Sequence, residues 1–141
     1  MRQKPLILIA DDEKNFLEIF STKLQAAGYD TITADDEAEI LKKTKEAKPD
    51  LVLMDIFMPP GATGTDIALN IKQTEETKNC RIAFLTNLKD PWPALSGDVR
   101  KVAKDLGMED FLQKTEDLDV LVSKVQEILS RGDGGVAPAQ P

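Results

Sequence analysis

Side chains that can take part in chemistry follow four apolar segments of this chain. They are Asp11-Asp12 after the first segment, Asp55 after the third, Thr86 after the fourth and Lys114 after the fifth. Three carboxylates brought together would repel one another and raise the pKa of at least one of them, unless cations compensate. One lysine and one divalent cation would balance the three charges. A carboxylate neutralised in this way can attack phosphorus, so these residue types suit phosphoryl transfer.

The available ligand atoms restrict the identity of the cation. The sequence has no histidine and one cysteine, so the acidic residues offer oxygen ligands alone. Oxygen ligands, with water in the remaining positions, favour Mg²⁺ over zinc. We therefore expect Mg²⁺ at these acids. Each residue taken alone also has an ordinary interpretation, since Asp11 and Asp12 could cap a helix and Lys114 could be a solvated surface lysine.

The segments that precede these residues predict buried strands. Leu6–Ala10 and Leu51–Met54 are apolar runs without alternation, as in parallel strands covered on both faces. Apolar residues at helical spacing separate the strands and follow the last one, most clearly in Leu118–Leu129. Strand and helix alternate five times, which predicts an α/β sandwich around a parallel sheet. Because the carboxyl ends of parallel strands share one edge of a sheet, we expect the acids, the hydroxyl and the lysine to converge there.

The composition sets limits on size, charge and location. The chain has 141 residues, 41% of them hydrophobic, which suffices for one domain with one sizeable core. Its net charge of -7 argues against nucleic acid or an anionic membrane as the main partner. One cysteine excludes an internal disulfide, and no apolar run is long enough to span a membrane. We predict a soluble cytoplasmic protein with a domain at 4–131 and a disordered tail at 132–141.

The motifs together resemble the response-regulator receiver domain of two-component signalling, over residues 4–131. They are Asp11-Asp12, the segment Asp55-Ile56-Phe57-Met58-Pro59, Thr86 and Lys114. Each motif alone is weak, but four in this order at these spacings are specific. The resemblance implies a flavodoxin-like, doubly wound (βα)5 fold with a five-stranded parallel sheet in the order 2-1-3-4-5.

The resemblance also implies a reaction and a metal site. Asp55 would accept a phosphoryl group from a phosphohistidine on a sensor histidine kinase or a histidine phosphotransfer protein. Mg²⁺ would be held by Asp12, Asp55 and the backbone carbonyl of Phe57, with Asp11 acting mostly through water.

A switch in the binding surface would follow phosphorylation. In the family, the hydroxyl at the position of Thr86 moves toward the phosphoryl group, and the aromatic ring at the position of Phe111 turns inward. The face formed by the fourth helix, the fifth strand and the fifth helix then changes what it binds. A downstream protein, or a second copy of the chain in a homodimer, would bind at that face.

The chain departs from the family pattern around the proposed site. Gly64 lies one residue later than the family's glycine, which indicates a one-residue insertion in the preceding loop. Thr115 stands where the family has proline after Lys114, and we expect a trans bond there with the lysine on an altered path. Asn87 replaces a small residue. We expect Asn87 and Phe57, which flank the site, to control the lifetime of the phosphoryl group.

The sequence is compatible with three functions. The first is a single-domain phosphoacceptor that catalyses only its own phosphorylation and dephosphorylation and signals by binding another protein or by passing the phosphoryl group on. The second is an interaction module of the same fold that is not phosphorylated, although no acidic, hydroxyl or lysine position has been lost. The third is an aspartyl-phosphate phosphatase of the haloacid dehalogenase type, which needs an acid where Phe57 stands. A flavin carrier is disfavoured, because no phosphate-binding loop follows the first strand.

Overall fold

Strands and helices alternate along the chain in a computed structural model that describes residues 4–56, 64–86, 107–114 and 117–130. The elements, in chain order, are β1 (Leu6–Ala10), α1 (Lys14–Ala26), β2 (Asp30–Ala34), α2 (Glu37–Ala47), β3 (Leu51–Asp55), α3 (Gly64–Gln73), β4 (Arg81–Thr86), β5 (Asp110–Gln113) and α4 (Leu118–Ser130). The helix predicted between β4 and β5 and the predicted tail at 132–141 lie outside the described residues, so the helix that follows β5 is numbered α4.

The five strands form one parallel sheet in the order β2-β1-β3-β4-β5. This order confirms the doubly wound topology that the resemblance implies. The central strands are β1, β3 and β4, and the first two of them are the strands that end at the acidic residues. Because all strands run in the same direction, their carboxyl ends lie along one edge of the sheet.

The central strands of the sheet are buried on both faces. In β1, Ile7 and Ile9 belong to the core under α1 and α4, whereas Leu8 and Ala10 belong to the core under α2 and α3. All four side chains have 0% exposure. Burial on both faces explains why the apolar runs show no alternation.

The ends of the first two helices follow their local sequences. Gly28 ends the turn after α1 with a φ of +103°, a conformation that glycine adopts without steric cost. Asp36 begins α2, because its side chain accepts a hydrogen bond of 2.8 Å from the backbone N–H of Glu39. None of the helices within the described ranges is both long and apolar enough to cross a membrane.

Candidate functional site

Three carboxylates meet at the carboxyl ends of β1 and β3. Asp11, Asp12 and Asp55 each place an oxygen within 4.8 Å of the oxygens of the other two. Asp11 is fully buried, Asp55 is 5% exposed and Asp12 is exposed. The topology causes this convergence, because β1 and β3 are adjacent and Ala10 lies beside Met54. The residues that follow Ala10 and Met54 along their strands are Asp11 and Asp55, which are therefore neighbours as well.

The register of the sheet places the ends of β4 and β5 beside the end of β3. Asp55 lies beside Leu85, the residue before Thr86, and Thr86 lies beside Gln113, the residue before Lys114. Thr86 ends β4, and its side chain is not among the parts that the structure describes.

Lys114 brings a buried positive charge among the acids. Its Nζ lies 2.6 Å from Asp11 Oδ2 and 3.6 Å from Asp55 Oδ2, and it also donates a hydrogen bond to Glu13 Oε1. The same atom lies over the ring of Phe16, 4.9 Å from the centroid. The lysine side chain is 3% exposed. The ammonium group is therefore surrounded by three carboxylates and one aromatic face.

The pKa values of this pair reflect burial and mutual attraction. Burial has the largest effect on Asp11 and raises the pKa of its carboxyl above the ordinary value of 3.8, although Lys114 and the backbone N–H of Glu13 oppose that effect. Burial lowers the pKa of Lys114, but hydrogen bonds to Asp11 and Glu13, with the charges of Asp11 and Asp55, outweigh it. The pKa of Lys114 therefore lies above its ordinary 10.5. The lysine is charged at neutral pH.

The turn between β1 and α1 orients Asp11. Its backbone N–H donates to the carbonyl of Ala34 at 3.0 Å, and its Oδ1 accepts from the backbone N–H of Glu13 at 2.9 Å. Glu13 is the N-cap residue of α1, and no side-chain hydrogen bond caps this helix. Neither Asp11 nor Asp12 is thus the side-chain cap of α1. Asp11 instead binds the backbone N–H of the N-cap residue itself, which fixes the turn that leads into α1.

Gly64 brings α3 against the backbone of Asp55. A Cβ atom at Gly64 would lie 1.8 Å from the carbonyl oxygen of Asp55 and 2.8 Å from the Cα of Ile56. The backbone N–H of Gly64 donates to the carbonyl of Ile56 at 2.7 Å. This close approach requires a residue without a side chain, and the sequence supplies it at position 64.

Glu13 and Phe16 are the site residues that sequence reasoning did not assign. A signal for Glu13 was present, since it is the third acid in the run Asp11-Asp12-Glu13. Phe16 gave no such signal, because an aromatic residue at helical spacing predicts a core position.

The sequence of residues 7–126 matches the response regulator receiver domain family. The chain belongs to this family. Receiver domains of two-component systems interact with histidine kinases or histidine phosphotransfer proteins, and this domain carries the acids and the lysine at the strand ends of its sheet.

Individual relatives agree with this assignment. The alkaline phosphatase synthesis transcriptional regulatory protein PhoP of Bacillus subtilis is 29% identical over 127 residues, which cover 90% of this chain and 49% of PhoP. The receiver domain thus spans about half the length of that relative. A crystal structure of a putative response regulator from Chloroflexus aurantiacus superposes with a TM-score of 0.78 at 27% identity and covers 92% of this chain and 100% of its own.

A third relative was solved with ligands. The response regulator TrrA of Thermotoga maritima, in complex with Mg²⁺-BeF, has a TM-score of 0.72 at 31% identity. The match covers 88% of this receiver domain and 98% of TrrA.

Of the remaining predicted site residues, the structure describes Phe111 but not Phe57 or Asn87. Phe111 lies in β5, is 4% exposed and belongs to the core under α2 and α3. Phe57, Asn87 and the bond between Lys114 and Thr115 lie outside the described residues.

Proposed function

We propose that this receiver domain is a Mg²⁺-dependent phosphoacceptor of a two-component phosphorelay, and that Asp55 is the residue phosphorylated. The observation that carries the proposal is the position of the Asp55 carboxylate at the end of a central strand, 3.6 Å from a buried ammonium group and beside two further acids. Phosphoryl transfer to a carboxylate needs positioning and neutralisation of charge, and this arrangement offers both.

The donor set fits a divalent cation. One oxygen from each of Asp11, Asp12 and Asp55 lies within reach of a common centre, and the side-chain ligand atoms that meet there are all oxygens. Lys114 balances one of the three charges and leaves two. We assign Asp12, Asp55 and the Phe57 carbonyl as direct ligands and Asp11 as a ligand through water. When bound, Mg²⁺ would neutralise the charge on the carboxylate and phosphoryl oxygens.

The chain's own residues carry the reaction. An oxygen of Asp55 forms a bond to phosphorus while the bond from phosphorus to the donor imidazole nitrogen breaks, and that nitrogen keeps the electron pair and takes a proton from water. The donor histidine comes from a partner, because this chain has none. The Lys114 ammonium, charged at neutral pH, would contact the transferred phosphoryl oxygens, and the Thr86 hydroxyl would donate a hydrogen bond to them.

The output would be a change in a protein-binding face. Thr86 and Phe111 are the proposed switch residues, and the face includes β5 and α4, where a downstream protein or a second copy would bind. We place control of the phosphoryl lifetime at Phe57 and Asn87. The domain at 4–131 would act in the cytoplasm and would catalyse only its own phosphorylation and dephosphorylation.

The test is incubation with Mg²⁺ and acetyl phosphate, followed by mass spectrometry of the intact protein. The wild type should gain the mass of one phosphoryl group, and the gain should disappear on treatment with hydroxylamine. Asp55→Asn should show no gain, whereas Asp35→Asn, which removes an exposed acid at the end of β2, should match the wild type. A gain that persists in Asp55→Asn would place the phosphoryl group elsewhere. No gain in the wild type would favour the unphosphorylated interaction module.

A further inference from the structure

The hydrogen bond between Glu13 and Lys114 is a contact that transfer of a phosphoryl group to Asp55 does not require. Lys114 Nζ contacts Asp11 Oδ2 at 2.6 Å and donates to Glu13 Oε1, whereas Asp55 Oδ2 is 3.6 Å away. The ammonium group therefore lies closer to the acids at the start of α1 than to the proposed phosphoacceptor.

Residues at and just before the start of α1 contact the ammonium group of Lys114 on several sides. Phe16, within the first turn of the helix, lies under Nζ at 4.9 Å, Glu13 accepts a hydrogen bond from Nζ, and Asp11 forms an ion pair with it at 2.6 Å. A charged group that is almost fully buried is stable only when it is paired and hydrogen-bonded, and these contacts meet that requirement. Lys114 is thus held on the α1 side of the site.

Glu13 differs from the other acids around Lys114 in its exposure. Its side chain is 51% exposed, while those of Asp11 and Asp55 are 0% and 7% exposed. It can be replaced without opening the core. It also adds a negative charge beside the three proposed metal-site acids, and this charge is not needed to hold a divalent cation.

We propose that Glu13 is a positioning residue that holds Lys114 toward α1 in the unphosphorylated protein and thereby slows phosphorylation of Asp55. This inference rests on the proposed function. To contact a phosphoryl group on Asp55, Lys114 must move from its present distance of 3.6 Å toward the Asp55 oxygens, and the contact with Glu13 opposes that movement and adds to the barrier. Removing the Glu13 carboxylate leaves Lys114 with Asp11 and Asp55 as its acidic partners, which turns the ammonium toward the reacting oxygen.

The kinetic test compares initial rates of Asp55 phosphorylation by acetyl phosphate at saturating Mg²⁺. Glu13→Gln should react about two- to five-fold faster than the wild type, the range expected for a half-exposed ion pair. Glu18→Gln removes the same charge from an exposed position about one and a half turns further along α1 and should react at the wild-type rate. A rate for Glu13→Gln equal to or below that of the wild type would overturn the inference. An equal gain in Glu18→Gln would overturn it too, since loss of negative charge alone would then explain the effect.

A second measurement follows Lys114 directly, without metal or phosphodonor. The ammonium signal of Lys114 in ¹⁵N-edited NMR spectra, assigned by its loss in Lys114→Met, should shift and exchange faster with water in Glu13→Gln and remain in place in Glu18→Gln. An unchanged signal in Glu13→Gln would show that Glu13 does not hold the lysine. If the wild type is not phosphorylated at all, the proposed function fails and the kinetic inference with it. Phosphorylation of the wild type with no gain in Glu13→Gln overturns this inference alone.

Discussion

Gly64 determines how closely α3 approaches the proposed phosphoacceptor. The site for a Cβ atom lies 1.8 Å from the carbonyl oxygen of Asp55, which is backbone and cannot rotate away. We expect Gly64→Ala to displace the start of α3 or the end of β3. The expected loss of stability is about 1–3 kcal/mol, as for other overpacked positions, and phosphorylation of Asp55 should slow.

Gly28→Ala is the matched control for this change. Gly28 has a φ of +103° with nothing within 4 Å of its Cβ position, so alanine there adds backbone strain without a clash. Urea unfolding should show a loss of stability in both variants, whereas slower phosphorylation by acetyl phosphate should appear in Gly64→Ala alone. Equal rates in the two variants would mean that the approach of α3 does not position Asp55.

Residue types and strand ends predicted which charged groups meet, but not how they pair. Asp11, Asp55 and Lys114 follow strands of one parallel sheet, so their convergence follows from topology. The preference of Lys114 for Asp11 and Glu13 depends on rotamers and on the turn before α1. Neither is encoded in the spacing of residues along the chain.

At the scale of elements, the N-cap of α2 offers a direct test. Asp36 Oδ1 accepts a hydrogen bond of 2.8 Å from the backbone N–H of Glu39. Asp36→Ala should lower the free energy of unfolding by about 1 kcal/mol, because that N–H loses its partner. The adjacent Asp35→Ala removes the same charge from an exposed position and should change stability by less than about 0.5 kcal/mol. Chemical denaturation of both variants measures the difference, and equal losses would exclude a specific cap.

Sequence patterns predicted the existence of the elements better than their arrangement. Unbroken apolar runs identified β1 and β3, because strands buried on both faces lose the alternation of a half-exposed strand. The order of strands in the sheet came from the family resemblance, since periodicity does not specify which strands are neighbours. Asp35 and Asp36 both precede α2 and carry a side chain that can cap a helix, so residue type alone does not decide between them; in the structure Asp36 is the cap.

At the scale of the whole molecule, the candidate metal site joins distant parts of the chain. Asp11 and Asp12 follow β1, Asp55 ends β3, and Lys114 follows β5. The unfolded chain does not bring these residues together. A cation that needs all three acids therefore binds the folded state and hardly binds the unfolded state. Binding of this kind stabilises a protein by mass action.

We therefore expect Mg²⁺ to raise the thermal stability of the domain. At a concentration one hundred times its dissociation constant, the gain would be about 2.7 kcal/mol. For a domain of this size, that gain corresponds to a rise in midpoint of roughly 10 °C by scanning calorimetry. NaCl at matched ionic strength should give a much smaller rise, since it screens charges without bridging the acids.

Asp12→Asn should lose most of the response to Mg²⁺. Without metal, this variant should be at least as stable as the wild type, because an exposed acid that repels Asp11 and Asp55 has been neutralised. An undiminished response to Mg²⁺ in Asp12→Asn would show that the cation binds elsewhere.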